Sequence, residues 1–332
     1  DDRIVKAETF VSVEGQMKIG NFSLSFEDMN VRASGIPLSL IRTYDSRDRN
    51  ISGDFGYGWD QSAKNITINT NGPLYIGWQK TGMTGDQGVQ ALREHIITVN
   101  WDNGRTEKFR MTAEIRKDGF GKHITPVFEA LSGATSKLTT PDADGYWTCQ
   151  DNMIYNEDEA VEFDPSDWII TAADGVKYEI NKYNGIRAIT DNYGNSVTFD
   201  ENGISGSNSA LTIERDSAGR ITSVRSSDEK KVSYEYDENG DLVKATDISG
   251  NVTSFEYDDH YLTAVINSDN VVISRNIYDD NGRLIKTIDA NNNVIIYDHD
   301  IEGREETVTD RNGGVTRYVY DKNGNILSQT DP

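Results

Sequence analysis

The sequence predicts an all-β fold of antiparallel β-hairpin repeats forming a curved sheet, and three observations carry that expectation. Tyr-Asp pairs stand at Tyr236-Asp237, Tyr257-Asp258, Tyr278-Asp279 and Tyr320-Asp321, with His299-Asp300 filling the missing place, so five pairs share one 21-residue spacing. Twenty-one residues is too short for a helical repeat and suits two strands with two turns. Three of the pairs lead into Asn-Gly turns ending at Gly240, Gly282 and Gly324. No segment of any length shows a 3.6-residue apolar period, although GDQGVQALREH (85–95) could supply one short helix.

Residues 1–160 form a β-rich region that precedes the repeats. It opens on DDRIVKAETF, without an initiator methionine, a basic stretch or an apolar signal core. That start fits a mature fragment or an excised piece of a longer chain. Four of the five tryptophans lie here (Trp59, Trp78, Trp101, Trp147), among Gly-rich turns such as NTNGP, KTGMTGDQG and WDNGR. In RTYDSRDR the alternating charges of Arg42, Asp45, Arg47, Asp48 and Arg49 surround Tyr44 and Ser46, just before GYGW. Such a cluster could tie the first strands together or build a saccharide-binding surface; tying is the simpler role.

Residues 161–332 form the repeat region, with the period clearest from 213. DGVKYEINKYNGIRAITDNYGNSVTFDENG (174–203) reads as looser hairpins, with Tyr178, Ile189, Tyr193 and Phe199 available for burial. A 16-residue step from Asp200 to Asp216 marks a register break. Beyond it, Tyr234, Phe255, Tyr297 and Tyr318 stand two places before the Tyr or His of each pair and share its face, while Glu235, Glu256, Asp298 and Val319 point to the other. In each turn the leading Asp can accept a bond from the backbone two residues on. Asn-Gly places a residue that tolerates positive φ before one that prefers it, the chemistry of a tight hairpin. Two copies depart from this pattern. Tyr261 replaces the turn glycine, predicting a bulge or altered turn, and in the fourth copy, beyond Gly303, Glu305 and Glu306 replace a Leu-Ile pair, predicting an exposed stretch.

These Tyr-Asp pairs, with NGRL or NGNIL and a following TD, resemble the YD repeats of the Rhs family, which includes bacterial polymorphic toxins, wall-associated proteins, the B and C components of Tc toxins, and teneurins. GIPLSLIRTYDSR and GDFGYGW resemble the segment that commonly precedes those repeats, on Pro37, Arg42, Tyr44, Asp45, Ser46, Arg47, Gly56, Gly58 and Trp59. The resemblance implies a spiralling β-ribbon, of which this chain would be an open segment of an Rhs-type shell. In toxin members the shell encloses a C-terminal cargo domain, and their self-cleaving aspartate site has no counterpart in this sequence. Sheets grow by about 4.8 Å per strand, so ten strands would extend roughly 50 Å, too little to close around a domain.

The composition bounds the partners. With 33 basic against 55 acidic residues the formal charge is −22, which disfavours nucleic-acid backbones and anionic lipid, and no run approaches a membrane span. No catalytic, cofactor or metal site is expected. The repeat carboxylates are accounted for by turns, and the Asp-x-Asn-Gly sequences lack the spacing and terminal Glu of a calcium loop. His95, His123, His260 and His299 are unclustered, with His299 a spacer in the aromatic ladder, and Cys149 has no base nearby in sequence. The expected function is therefore a non-enzymatic structural segment of a secreted or cell-surface protein. Its expected partners are the remaining YD repeats and a C-terminal toxin or effector domain of the same polypeptide. An adhesion or carbohydrate-binding module, with glycans as partners, is the alternative; a polysaccharide-cleaving enzyme ranks lower.

Overall fold

The structure, a computed structural model, describes residues 19–33, 35–62, 66–82, 88–101, 105–119, 121–156, 159–322, 324 and 326–332. It is all-β. Apart from two short 3₁₀ turns, Ser46–Asp48 and Pro141–Asp144, the regular elements of the described residues are strands, paired antiparallel. No helix among them is long and apolar enough to cross a membrane. The described residues pack as two compact units, one drawn from residues 19–32, 37–62 and 201–332 and the other from residues 33–36 and 66–200. These units interleave along the chain, whereas the boundary at 160 divides it by sequence character.

In the first unit thirteen strands, from Gly203–Ser205 to Ile326–Thr330, pair in chain order. Each 21-residue step supplies two of them, as in Lys231–Tyr236 with Leu242–Thr246 and Val252–Asp258 with Tyr261–Ile266. The short strand Gly203–Ser205 sits where the spacing breaks between Asp200 and Asp216. Tyr234, Phe255 and Tyr297 are buried, and Glu235, Glu256 and Asp298 are exposed, so the two faces divide by chemistry. A β-bulge precedes the repeat tyrosine in four hairpins, at Glu235/Tyr236, Glu256/Tyr257, Ile277/Tyr278 and Val319/Tyr320. The hairpin of Val294–Asp300 with Glu305–Thr309 has none.

The turns refine what the Asn-Gly pairs suggest. Gly240, Gly282 and Gly324 have φ of 91°, 77° and 81°, while Asn239 and Asn281 stay out of the left-handed region. Only the third loop position needs positive φ, as in a three-residue hairpin loop closing on a glycine bulge. Asn323 lies outside the described residues. The turn Asp258–Tyr261 differs as expected: Asp259 and His260 both take positive φ, 48° and 64°, in a two-residue loop. In the fourth copy the positive φ falls on Arg304 rather than Gly303, whose amide bonds Asp300 Oδ1 at 2.8 Å. Glu306 there is only 4% exposed, against the expectation of an exposed stretch. Loss of the bulge turns it inward, opposite His299.

The second unit pairs Lys137–Thr139, Asp167–Thr171, Lys177–Asn181, Gly185–Thr190 and Ser196–Asp200 in that order, beside a four-stranded sheet of Gly121–Ala130, Thr106–Asp118, Ile96–Asn100 and Thr67–Thr70. Trp78, Trp101, Trp147 and Trp168 fill its core with Ile97, Val99, Phe109 and Phe163. The short helix predicted at 85–95 does not form in its described part. Gly88–Ala91 is instead a strand paired with Trp78–Thr81, and Leu92, which a buried helix face would need, stays exposed. Tyr193, expected to be available for burial, is 88% exposed, because it rides on the Asp191–Asn195 turn.

Candidate functional site

The residues singled out in the sequence converge, within the first unit, on Arg42. Strand Leu38–Asp45 follows the exposed Pro37 and alternates so that Leu38, Leu40, Arg42 and Tyr44 are buried in one row. A charge in an apolar row needs a partner. Asp28 supplies it: its two oxygens take Arg42 Nε at 2.8 Å and Nη2 at 3.0 Å in a fork. Asp28 is the residue skipped by the register between Glu27 and Met29, so a bulge aims it at the guanidinium. Tyr234 donates its hydroxyl to Asp28 Oδ2 at 2.7 Å. Rings enclose the cation, with Trp59 at 4.6 Å, Phe26 at 4.7 Å and Phe255 at 5.2 Å. Burial works against the Arg42 charge, but the Asp28 carboxylate outweighs it and the pKa lies above the ordinary arginine value.

Beside this joint the repeat aromatics form a ladder of bonds between successive hairpins. Tyr236 donates to the Ile221 carbonyl at 2.5 Å, Tyr257 to Leu242 at 2.8 Å and Tyr278 to Leu262 at 3.1 Å. His299 makes the same link through Nε2, 2.7 Å from the Leu284 carbonyl. It is thus more than the spacer expected from sequence. Tyr320 breaks the series, for its hydroxyl is buried and has no partner among the described residues. Burial pushes the phenols of Tyr236, Tyr257 and Tyr278 up, so they stay protonated donors. Asp237 and Asp279 spend their carboxylates on the turns, accepting from the amides of Asp241, and of Asn281 and Arg283.

The N-terminal motif grips this ladder. Trp59 Nε1 donates to the Tyr257 hydroxyl at 2.8 Å. Tyr44 donates to the His260 carbonyl at 2.8 Å and accepts from the Leu262 amide at 3.0 Å. Tyr57 stacks on His260 at 4.0 Å, and His260 Nδ1 lies 2.8 Å from the buried Asp241 carboxylate. Arg49 bonds the Asp259 carbonyl and lies 4.3 Å from the Tyr261 ring. Gly56, at φ 89°, comes so near the Gly240 turn that a Cβ would stand 2.4 Å from its carbonyl oxygen. Gly58 lies against the Tyr44 ring. Asp45, Ser46 and Arg47 act locally: Asp45 accepts from the Arg47 amide and side chain, and Ser46 bonds Phe22 and Asn21.

Sequence reasoning found Arg42, Tyr44, Trp59 and the glycines but missed Asp28 and Phe26. A bulge residue in a polar-looking strand carries no readable signal. Among the described residues no group of three or more His, Cys, Asp or Glu is placed to hold a metal ion. Cys149 is buried, which pushes its thiol pKa up. The chemistry of the site is that of a joint: a paired charge, stacked rings and hydroxyl-to-carbonyl bonds locking one segment onto another.

Comparison with known proteins places these features. The sequence matches the teneurin YD-shell family over residues 142–332, and a domain of unknown function, DUF6531, over residues 16–80. The tRNA3(Ser)-specific nuclease WapA of Bacillus spizizenii is 30% identical over 104 residues, which is 30% of this chain and 4% of that protein. Among solved structures, TcdB2-TccC3 without its hypervariable C-terminal region aligns with 72% of this chain and 15% of its own, at 14% identity and a TM-score of 0.36. The Photorhabdus luminescens Tc holotoxin pore aligns with 94% of this chain and 14% of its own, at 14% identity and a TM-score of 0.28. This chain spans a small part of each.

Proposed function

Since the chain belongs to the teneurin YD-shell family, we propose that it is a non-enzymatic wall segment of a longer secreted or cell-surface protein, part of a hollow β-shell that encloses or presents a C-terminal effector domain. In this reading residues 1–160 are the collar that starts the wall and residues 161–332 are the wall itself. Its partners are further YD repeats and the cargo of the same polypeptide. The observation that carries the reading is the ladder: the aromatic residues of the first four Tyr-Asp or His-Asp pairs spend their polar atoms on the carbonyl of the preceding hairpin. Side chains so engaged hold hairpins in register and are not offered to a substrate. The test is the structure of the complete gene product. A closed shell with polypeptide density inside supports the proposal, and an open ribbon with no interior overturns it.

The adhesion alternative rested on the tryptophan-rich first half. All five tryptophans are buried, at 8% exposure or less, so any stacking platform for a glycan must come from tyrosines. Tyr146, Tyr183 and Tyr193 are exposed, and the last two sit on separate turns. A glycan array on this chain should give no reproducible binding; micromolar binding lost on Tyr183→Ala or Tyr193→Ala would favour adhesion instead.

A further inference from the structure

The fourth hairpin breaks the repeat rule twice, and the two breaks meet. Where other copies have tyrosine it has His299, and because it lacks the bulge, Glu306 stands opposite that ring, in the row held elsewhere by Leu242, Leu262 and Leu284. The side chains are 4% and 6% exposed. His299 Nδ1 lies 2.5 Å from Glu306 Oε2, and Nε2 lies 2.7 Å from the Leu284 carbonyl.

Both ring nitrogens thus face oxygens, and one of these can only accept. The Leu284 carbonyl requires a proton on Nε2, so a neutral imidazole has none left for Nδ1. A second proton must lie between Nδ1 and Glu306. It can be written as imidazolium with carboxylate or as imidazole with carboxylic acid, and the proton count is the same. Remove it, and two lone pairs oppose each other at hydrogen-bond distance in a buried site.

We infer that His299 and Glu306 form a proton-dependent clasp across the two strands of the fourth hairpin, closed at acid and neutral pH and opened when the shared proton leaves in alkali. Asp279 on the preceding turn acts on His299, and Tyr297 on its own strand and Tyr318 and Tyr320 on the next feel Glu306; beyond these, Arg311 faces Tyr297, Asp331 faces Tyr318, and Arg283, Asp300 and Arg304 face Tyr320. Burial opposes the imidazolium, but the Glu306 bond and the charges of Glu306 and Asp279 outweigh it, so His299 titrates above its ordinary value. A raised histidine pKa gives stabilisation that is complete below about 6.5 and is lost as the pH climbs through the raised value. The unpartnered Tyr320 hydroxyl follows from the same change, since the altered return strand no longer presents it the carbonyl that its counterparts use.

The test uses the whole chain. NMR titration of the His299 ring should give an apparent pKa above about 6.5 that falls in Glu306→Gln. Amide exchange in Glu305–Thr309, taken as a ratio to Leu242–Thr246 in the same molecule, should lose about tenfold protection between about pH 6 and pH 9.5. In the double variant His299→Tyr, Glu306→Leu that ratio should stay flat. A wild-type ratio independent of pH, the same loss in the double variant, or a His299 pKa at or below the ordinary value would overturn the clasp. If the double variant does not fold, the two wild-type measurements still decide.

Discussion

Tyr257 and Tyr320 hold equivalent places in their repeats, yet their hydroxyls have opposite fates. Tyr257 accepts from Trp59 and donates to Leu242, while the Tyr320 hydroxyl is buried with no partner among the described residues. Tyr257→Phe should therefore cost about 1–3 kcal/mol in urea unfolding, because it strands a buried indole donor and a carbonyl. Tyr320→Phe should be neutral or slightly stabilising, and equal losses at both sites would refute the ladder. Arg42 and Asp28 offer a sharper contrast. Asp28→Ala leaves a guanidinium buried and uncompensated, with an expected loss of about 3–5 kcal/mol, and a change under 1 kcal/mol would show that the ring cage alone holds the charge. The tyrosines were legible in the sequence because periodicity exposes what repeats. Asp28 and Glu306 were not, since each depends on the presence or absence of a single bulge, which shifts one residue from one face to the other.

The turn is the element that repeats most faithfully, and its leading aspartate sets an acid limit on the fold. Asp279 is partly buried, which by itself would raise its carboxyl, but the Arg283 and Asn281 amides outweigh that and hold the pKa below the ordinary value; Asp247 is held down in the same way by Asn251 and Ser249. A depressed carboxylate stabilises the fold above its unfolded value of about 4, and the contribution disappears as the pH falls through the lower folded value. The urea midpoint should thus drop as the pH falls below about 4, and less steeply in Asp247→Asn/Asp279→Asn, which keeps an acceptor but cannot titrate. An unchanged slope in that variant would place the acid sensitivity elsewhere. Sequence foresaw the aspartate and the glycine but not the loop length, because Asn-Gly is compatible with both two- and three-residue loops, and the bulge at the tyrosine accompanies either, a three-residue loop after Tyr236 and a two-residue loop after Tyr257. The close fit of Gly56 on the Gly240 turn was equally hidden, since neither glycine announces the other across the chain.

At the scale of the whole molecule, stability should behave as a sum over neighbouring hairpins, because within the first unit each strand of the series pairs with the next in the chain. The period made this much readable from residue 213 onward, whereas the second unit, whose described strands run from two to thirteen residues, has no 21-residue period to read. The repeating series also predicts where stability can be added. Among the described residues, Ile326–Thr330 pairs only with Val315–Tyr320, and Leu327 is 67% exposed. Joining one further 21-residue copy, with the sequence of residues 270–290 so that its Tyr278 falls 21 places after Tyr320, would pair this edge and cover its backbone. Burying the Leu327 side chain alone would contribute roughly 2 kcal/mol. For a unit of this size each kcal/mol moves the midpoint by about 2–4 °C, so the melting temperature should rise by several degrees. The control is a copy of the same length with its Tyr278 and Leu284 changed to serine, which supplies chain without the ladder residues and should leave the midpoint where it was. Equal midpoints for all three chains would mean that the last hairpin gains nothing from a neighbour, and the nearest-neighbour account of the wall would fail with it.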